Sequence, residues 1–150
     1  MKINSFWESF IKMHPKYKNS KYDSWSYGVD ADILATLTVN GIKTATSSLF
    51  DLYELENETI PEIGSISIIL DATATQPICI VQTVKVSIVP FDKVTYEHAY
   101  KEGEGDRSLE HWRKVHIEFF NNCVKNINVK FTNKSLIVLE EFRVLYPTKP

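Results

Sequence analysis

Only two cysteines, Cys79 and Cys123, occur among the 150 residues, far apart and without a Cys-x-x-Cys pair. That excludes a disulfide scaffold and a cysteine-built zinc site, and it suits a reducing cytoplasm. Two buried thiols are the expected state, with a single bridge as the alternative. No apolar run approaches the about 18 residues that a membrane span needs. The start, MKINSFWESF, has neither a long apolar stretch nor a small-residue cleavage site, so no secretory signal is expected. A basic excess is missing too, because 17 Lys and Arg face 19 Asp and Glu for a net charge of −2. A protein that coats duplex nucleic acid draws on counterion release at a basic face, and the chain as a whole offers none. There is no GxSxG, no phosphate-binding loop, no GxGxxG after a strand, no repeat and no low-complexity tract.

What is present fits one domain over residues 1–150. Hydrophobic residues make up 43% and charged residues 24%, and a chain of this size buries roughly 70% of its unfolded surface, enough for a real core. Charge is uneven along it. KMHPKYKNSKY (12–22) carries Lys12, Lys16, Lys18 and Lys21 with Tyr17 and Tyr22, either a solvated loop or a surface that receives phosphates and stacks bases. DLYELENETIPE (51–62) is acidic throughout.

Periodicity predicts a first helix over 5–14, opened by a Ser5/Glu8 capping box and stopped by Pro15, with Phe6, Trp7, Phe10 and Ile11 at helical spacing. A polar, Tyr-rich link leads to a second helix that Asp30 can cap and Asn40-Gly41 ends. SISIILD and PICIVQTVKVSIVP alternate as strands, the second running from Pro77 to Pro90. A short helix lies in FDKVTYEHAYKEGEGD. SLEHWRKVHIEFFNNCV reads as the strongest helix, with Leu109, Trp112, His116, Phe119, Phe120 and Cys123 on one face. The end reads as a hairpin of NVKF and SLIVLEEFRVLY. The class is α+β, with long strands that curl and close into a barrel surrounded by helices.

No metal is expected. Glu102, Glu104 and Asp106 alternate like the start of a calcium loop, but the sixth position is Arg107 and the twelfth Arg113. His111 and His116 are five apart, about 140° round a helix, which is unlike a zinc pair.

The stretch GIKTATSSLF places Lys43 and Thr46 three residues apart. On a strand they point to opposite faces, and at a bend that Gly41 permits they share a side. A threonine hydroxyl attacks only when a base takes its proton. Lysine is such a base only when neutral, and a neighbouring carboxylate opposes that. Lys43 is therefore not readily both a neutral base and the ion-pair partner of Glu102.

GIKTAT, PEIGSISIILD, PFDKVTYEHAYKEGEGD and WRKVHIEFF together resemble the ASCH (activating-signal-cointegrator homology) family, and more narrowly its small stand-alone bacterial branch. The likeness is strongest over about 25–145, with the N-terminal helix packed on it. The resemblance implies a PUA-like β-barrel with a cleft that binds RNA or a modified nucleoside. In some small members it implies hydrolysis of N4-acylated cytidine, and in at least one a ribonuclease activity. The hydrolases' proposed set maps onto Lys43, Thr46 and Glu102, with Glu104 and Asp106 competing for the acidic role. No cofactor is implied. This chain is longer than those hydrolases, adding the N-terminal helix and the WRKVH helix, and activity does not follow from the fold.

For the surrounding residues two roles stay open. Trp25 and Tyr27 either stack a base or pack as core or lid. Arg113 either pairs with Glu102 or Asp106 or meets a phosphate or ribose. His116 is either a hydrogen-bonded core histidine or a substrate-facing one, and Gly41 supplies the bend. Three functions fit: an amidohydrolase with Thr46 as nucleophile, Lys43 as base and Glu102 as acid; a non-catalytic RNA- or nucleotide-binding module with Lys43 on a phosphate; and a metal-independent ribonuclease using His116 or Glu102. The oligomeric state has no sequence signal.

Overall fold

The structure is a computed structural model and describes residues 1–147. Its elements are α1 (Ile3–Met13), β1 (Asp23–Trp25), α2 (Ala31–Val39), β2 (Ala45–Leu49), α3 (Phe50–Leu55), β3 (Ile66–Leu70), β4 (Pro77–Pro90), α4 (Tyr96–Glu102), α5 (Leu109–Cys123) and β5 (Leu136–Tyr146). The strands form one sheet in the order β1-β3-β4-β5-β2, with β1 and β3 parallel and the other pairs antiparallel. Three register shifts, one in β3 and two in β4, bend it into a curled half-barrel. The expected α+β class is what forms. Among the described residues the hydrogen-bonded order ends at β1 and β2 and does not close, and the opening between those two edges is where the cleft lies.

Alternation decides what each face meets. Ile66, Ile68 and Leu70 of β3 and Ile80 of β4 pack against Trp7 and Phe10 of α1. Ile69, Cys79, Val81 and Phe142, on the other face, pack against Leu34 and Ala35 of α2. Leu49, Ile137 and Leu139 meet Phe91, Trp112 and Phe120 of α5 and its approach. Three apolar clusters thus clamp one sheet.

Several local expectations are corrected. Helix α1 starts at Ile3 with Lys2 at the N-cap and no side-chain cap, so Ser5 and Glu8 form no capping box. Asp30 does occupy the N-cap of α2, but at φ 46° and without a side-chain bond. NVKF forms no strand, because β5 finds its partners in β4 and β2 instead. The two short elements β1 and α3 have too few residues for any period to show. The tyrosines of the basic run pack on α1: Tyr17, buried, stacks on Phe10, and Tyr22, half-buried, stacks on Trp7. Both cysteines are free thiols, and burial pushes that of Cys79 up to about 12.

Candidate functional site

The bend comes first. Helix α2 ends at Asn40, Gly41 takes φ 77°, and the amides of Ile42 and Lys43 both return to the Leu37 carbonyl. Only after this turn does β2 begin, so Lys43 is not on a straight strand with Thr46. Thr44 then ties the segment down, donating its amide to Lys101 at 2.8 Å and accepting from the Phe142 amide at 3.0 Å.

Helix α4 approaches from the other side. Thr95 caps it by accepting from the His98 amide, and Gly103 ends it in the left-handed region at φ 73°. A Cβ on Gly103 would stand 2.6 Å from the Ile42 carbonyl oxygen. Glycine is required there on both counts, and it lets the end of α4 close on the Lys43 segment. Helix α5, capped by Ser108, brings Trp112 and His116 onto one face, four residues apart.

These elements converge on Glu102. Its side chain is 1% exposed, as is that of Lys43. Lys43 Nζ lies 3.3 Å from Glu102 Oε1 and 2.7 Å from Glu104 Oε2. Glu102 Oε2 accepts from His98 Nε2 at 2.7 Å and from Trp112 Nε1 at 2.6 Å. His116 faces Glu102 Oε1 through Nε2 at 3.5 Å, while its Nδ1 donates to the Trp112 carbonyl at 2.8 Å, and its ring stacks on Trp112 at 4.2 Å. Burial alone pushes the Glu102 carboxyl up, but Lys43, His116 and His98 outweigh it and hold the group well below its usual 4.5. For His116 burial pulls down, yet the Glu102 carboxylate beside it wins and the ring is raised above 6.5.

An amine paired with two carboxylates is a cation. Lys43 therefore meets the ion-pair side of the conflict seen in the sequence, and in this arrangement it donates hydrogen bonds. The same fact answers for metals. Donor atoms of Glu102, Glu104 and His116 lie within 4.8 Å of one another, but the Lys43 ammonium already sits against both carboxylates and fills the cation position.

Of the three acidic candidates, Glu102 and Glu104 reach Lys43, whereas Asp106 accepts from the Ser108 amide at the start of α5. A cleft of about 990 Å³ runs past the cluster, and Lys43, Thr46, Glu102, Trp25, Tyr27 and His116 all line it. The Tyr27 ring lies 5.3 Å from Lys43 Nζ and its hydroxyl bonds Thr38 at 2.7 Å. Among the described residues Thr46 has no hydrogen bond to Lys43. Two expected residues stand away from the lining. Gly41 acts only through the bend, and Arg113 donates to the carbonyls of Phe91, Asp92 and Val94, so it pairs with neither Glu102 nor Asp106.

Three participants escape the sequence reading. His98 sits four before Glu102, a spacing that could have flagged it. Trp112 reads as core and is core, but its indole N–H also holds Glu102. Glu140 interrupts an otherwise apolar face of β5. Replacing Trp112 with Phe keeps a ring for Phe91 and His116 and removes only that donor. The expected cost is about 1.5–3 kcal/mol, the range for a hydrogen bond to a charged group, read by urea unfolding.

No relative among the curated proteins matches this chain. Solved structures do. The ASCH domain from Lactobacillus crispatus JV V101 is 29% identical with TM-score 0.88, over 96% of this chain and 94% of its own. Protein EF3133 from Enterococcus faecalis V583 is 33% identical with TM-score 0.83, over 95% and 86%. The hypothetical protein PH0355, at 17% identity and TM-score 0.53 over 82% and 96%, shares the fold alone. No helix among the described residues is long and apolar enough to cross a membrane. The ASCH domain model matches residues 23–146, and this chain belongs to that family.

Proposed function

We propose that the cleft binds a neutral nucleoside-like ligand and hydrolyses an amide on it, with an N4-acylated cytidine as the reference substrate. The observation that carries this reading is the buried Lys43–Glu102 pair, at the wall of a cleft that Thr46 also lines. Burying a charge pair is costly unless something holds it. Here His98, Trp112 and His116 do, and the result is a fixed cation in the wall of a cleft that Thr46 also lines.

Such a cation suits a developing oxyanion. In this reading Thr46 attacks the acyl carbon, and the Lys43 ammonium stabilises the negative charge that forms on the carbonyl oxygen. Glu102 is a positioning residue that fixes the ammonium. A carboxyl held well below 4.5 delivers no proton near neutrality, so the acid role expected for Glu102 passes more naturally to His116, which is raised above 6.5 and lines the cleft.

Charge favours a neutral ligand. Asp23, Glu58, Glu62, Glu102, Glu104 and Glu140 line the cleft against Lys21 and Lys43. A phosphodiester meets six carboxylates and two lysines there, which weakens the RNA-binding and ribonuclease readings. The absence of a Lys43–Thr46 hydrogen bond among the described residues favours the second reading, a binding site for the same ligand without chemistry.

The test is incubation with N4-acetylcytidine and with its 5′-monophosphate, following cytidine and acetate release. Turnover of the nucleoside, with the monophosphate at least about tenfold poorer and little loss of binding in added salt, is expected. Binding without turnover supports the second reading. Preference for the phosphate, with affinity that falls steeply in salt, contradicts both.

A further inference from the structure

The amidohydrolase reading leaves one proton without an acceptor: Lys43 is a cation, Glu102 is saturated by donors, and Glu104 is held by the Lys43 ammonium at 2.7 Å. Yet Thr46 must lose a proton to attack. The antiparallel register of β2 and β5 answers this, because Thr46 stands directly opposite Glu140. Opposed residues share a face, with Cβ atoms about 4.5–5.5 Å apart. Both line the cleft. Glu140 is 8% exposed, and its Oε2 accepts from Thr83 Oγ1 at 2.5 Å. Among the described residues it has no lysine or arginine partner. Its neighbour Glu141, on the opposite face, takes both Lys85 and Lys101.

We infer that Glu140 takes the proton from the Thr46 hydroxyl and is a catalytic residue of this cleft, an inference that rests on the amidohydrolase reading. As Thr46 Oγ1 bonds to the acyl carbon, its O–H bond breaks, the proton passes to Glu140, and the carbonyl electron pair moves onto oxygen beside Lys43. When the carbonyl re-forms, the C–N bond breaks and the leaving nitrogen takes a proton, from Glu140 or from a charged His116 that Glu140 then restores. Water next attacks the threonine ester and gives its proton to Glu140, and that proton returns to Thr46 oxygen as the carboxylic acid leaves. Nothing is oxidised or reduced.

The environment suits a base that works near neutrality. Burial pushes the Glu140 carboxyl above its usual 4.5, the Thr83 hydrogen bond pulls it back, and Asp23 adds to the rise. Asp23 of β1 and Tyr53 of α3 are the titratable groups that face it from the packed elements.

An activated ester tests this apart from the substrate. With 4-nitrophenyl acetate, the full chain is expected to release nitrophenolate in a reaction that Thr46→Val abolishes. Glu140→Gln, nearly isosteric, is expected to slow that release at least about 100-fold, while Glu140→Asp keeps part of it. The wild-type rate climbs with pH through one acid-side limb. That limb is expected to disappear in Glu140→Gln and to move to higher pH in Thr83→Val, which removes a bond to the carboxylate. Thermal melts confirm that each variant is folded. Wild-type release no faster than Thr46→Val, or a Glu140→Gln rate and pH profile equal to wild type, overturns the assignment. N4-acetylcytidine on the same preparations separates the two claims. Thr46-dependent ester cleavage without amide turnover leaves Glu140 standing and removes the substrate. Amide turnover with an unaltered Glu140→Gln removes Glu140 alone.

Discussion

Glu102→Ala is expected to lose about 3–5 kcal/mol of stability, the usual cost of deleting one partner of a buried ion pair. The change strands four groups at once. Lys43 keeps Glu104 and the backbone carbonyl of residue 102 but loses the carboxylate, Trp112 Nε1 and His98 Nε2 lose their acceptor, and His116 loses the carboxylate that raises it. For a chain of this length that corresponds to an unfolding midpoint lower by roughly 10 °C. The pH dependence changes with it. Because the folded state holds Glu102 well below 4.5, its contribution is complete above about pH 4.5 and is lost as pH falls through the depressed value. His116 has the opposite sign: its contribution is full below 6.5 and is lost as pH rises through the elevated value. Urea unfolding from pH 3 to 9 is expected to show both slopes in the wild type and shallower ones in Glu102→Ala, where the lowered Asp71, Asp92, Asp106 and Glu141 still supply part of the acid-side slope. A variant as stable as wild type, with the same slopes, would mean that the cluster holds nothing together.

Lys43→Met is expected to lower kcat on N4-acetylcytidine by about 10²–10³-fold, with KM changed much less. That is the signature of a contact made mainly in the transition state. The methionine keeps the volume and removes the charge. It also leaves Glu102 without its cation, so the variant's stability must be measured beside its rate. Partial unfolding also lowers the apparent kcat and leaves KM unchanged, so rates are compared per folded molecule, with the folded fraction taken from the stability measurement. A loss confined to KM would make Lys43 a ligand-binding group and favour the non-catalytic reading.

How far the sequence reaches can be seen residue by residue. The long elements were legible because their periods are: β4 between its two prolines, and α5 through the spacing of Trp112, His116 and Phe120. Lys43, Thr46 and Glu102 came from the family resemblance, and the bend from Gly41. Ion pairing was legible only as a conflict, since local sequence does not say which carboxylate a lysine meets 59 residues away. The false hairpin has a similar cause. Alternation marks β5 as a strand but is silent on its partners, and β4 and β2 lie far off in the chain. Glu140 was hidden in a run of apolar neighbours, and only the register with Thr46 gives it meaning.

The most direct measurement is turnover of N4-acetylcytidine by the wild type beside Thr46→Val. Release of cytidine and acetate by the wild type is expected, with a loss of roughly 10⁶-fold in the variant, as for other enzymes stripped of their nucleophile. Equal turnover by the two proteins would contradict it, as would a wild type that binds the nucleoside and leaves it intact.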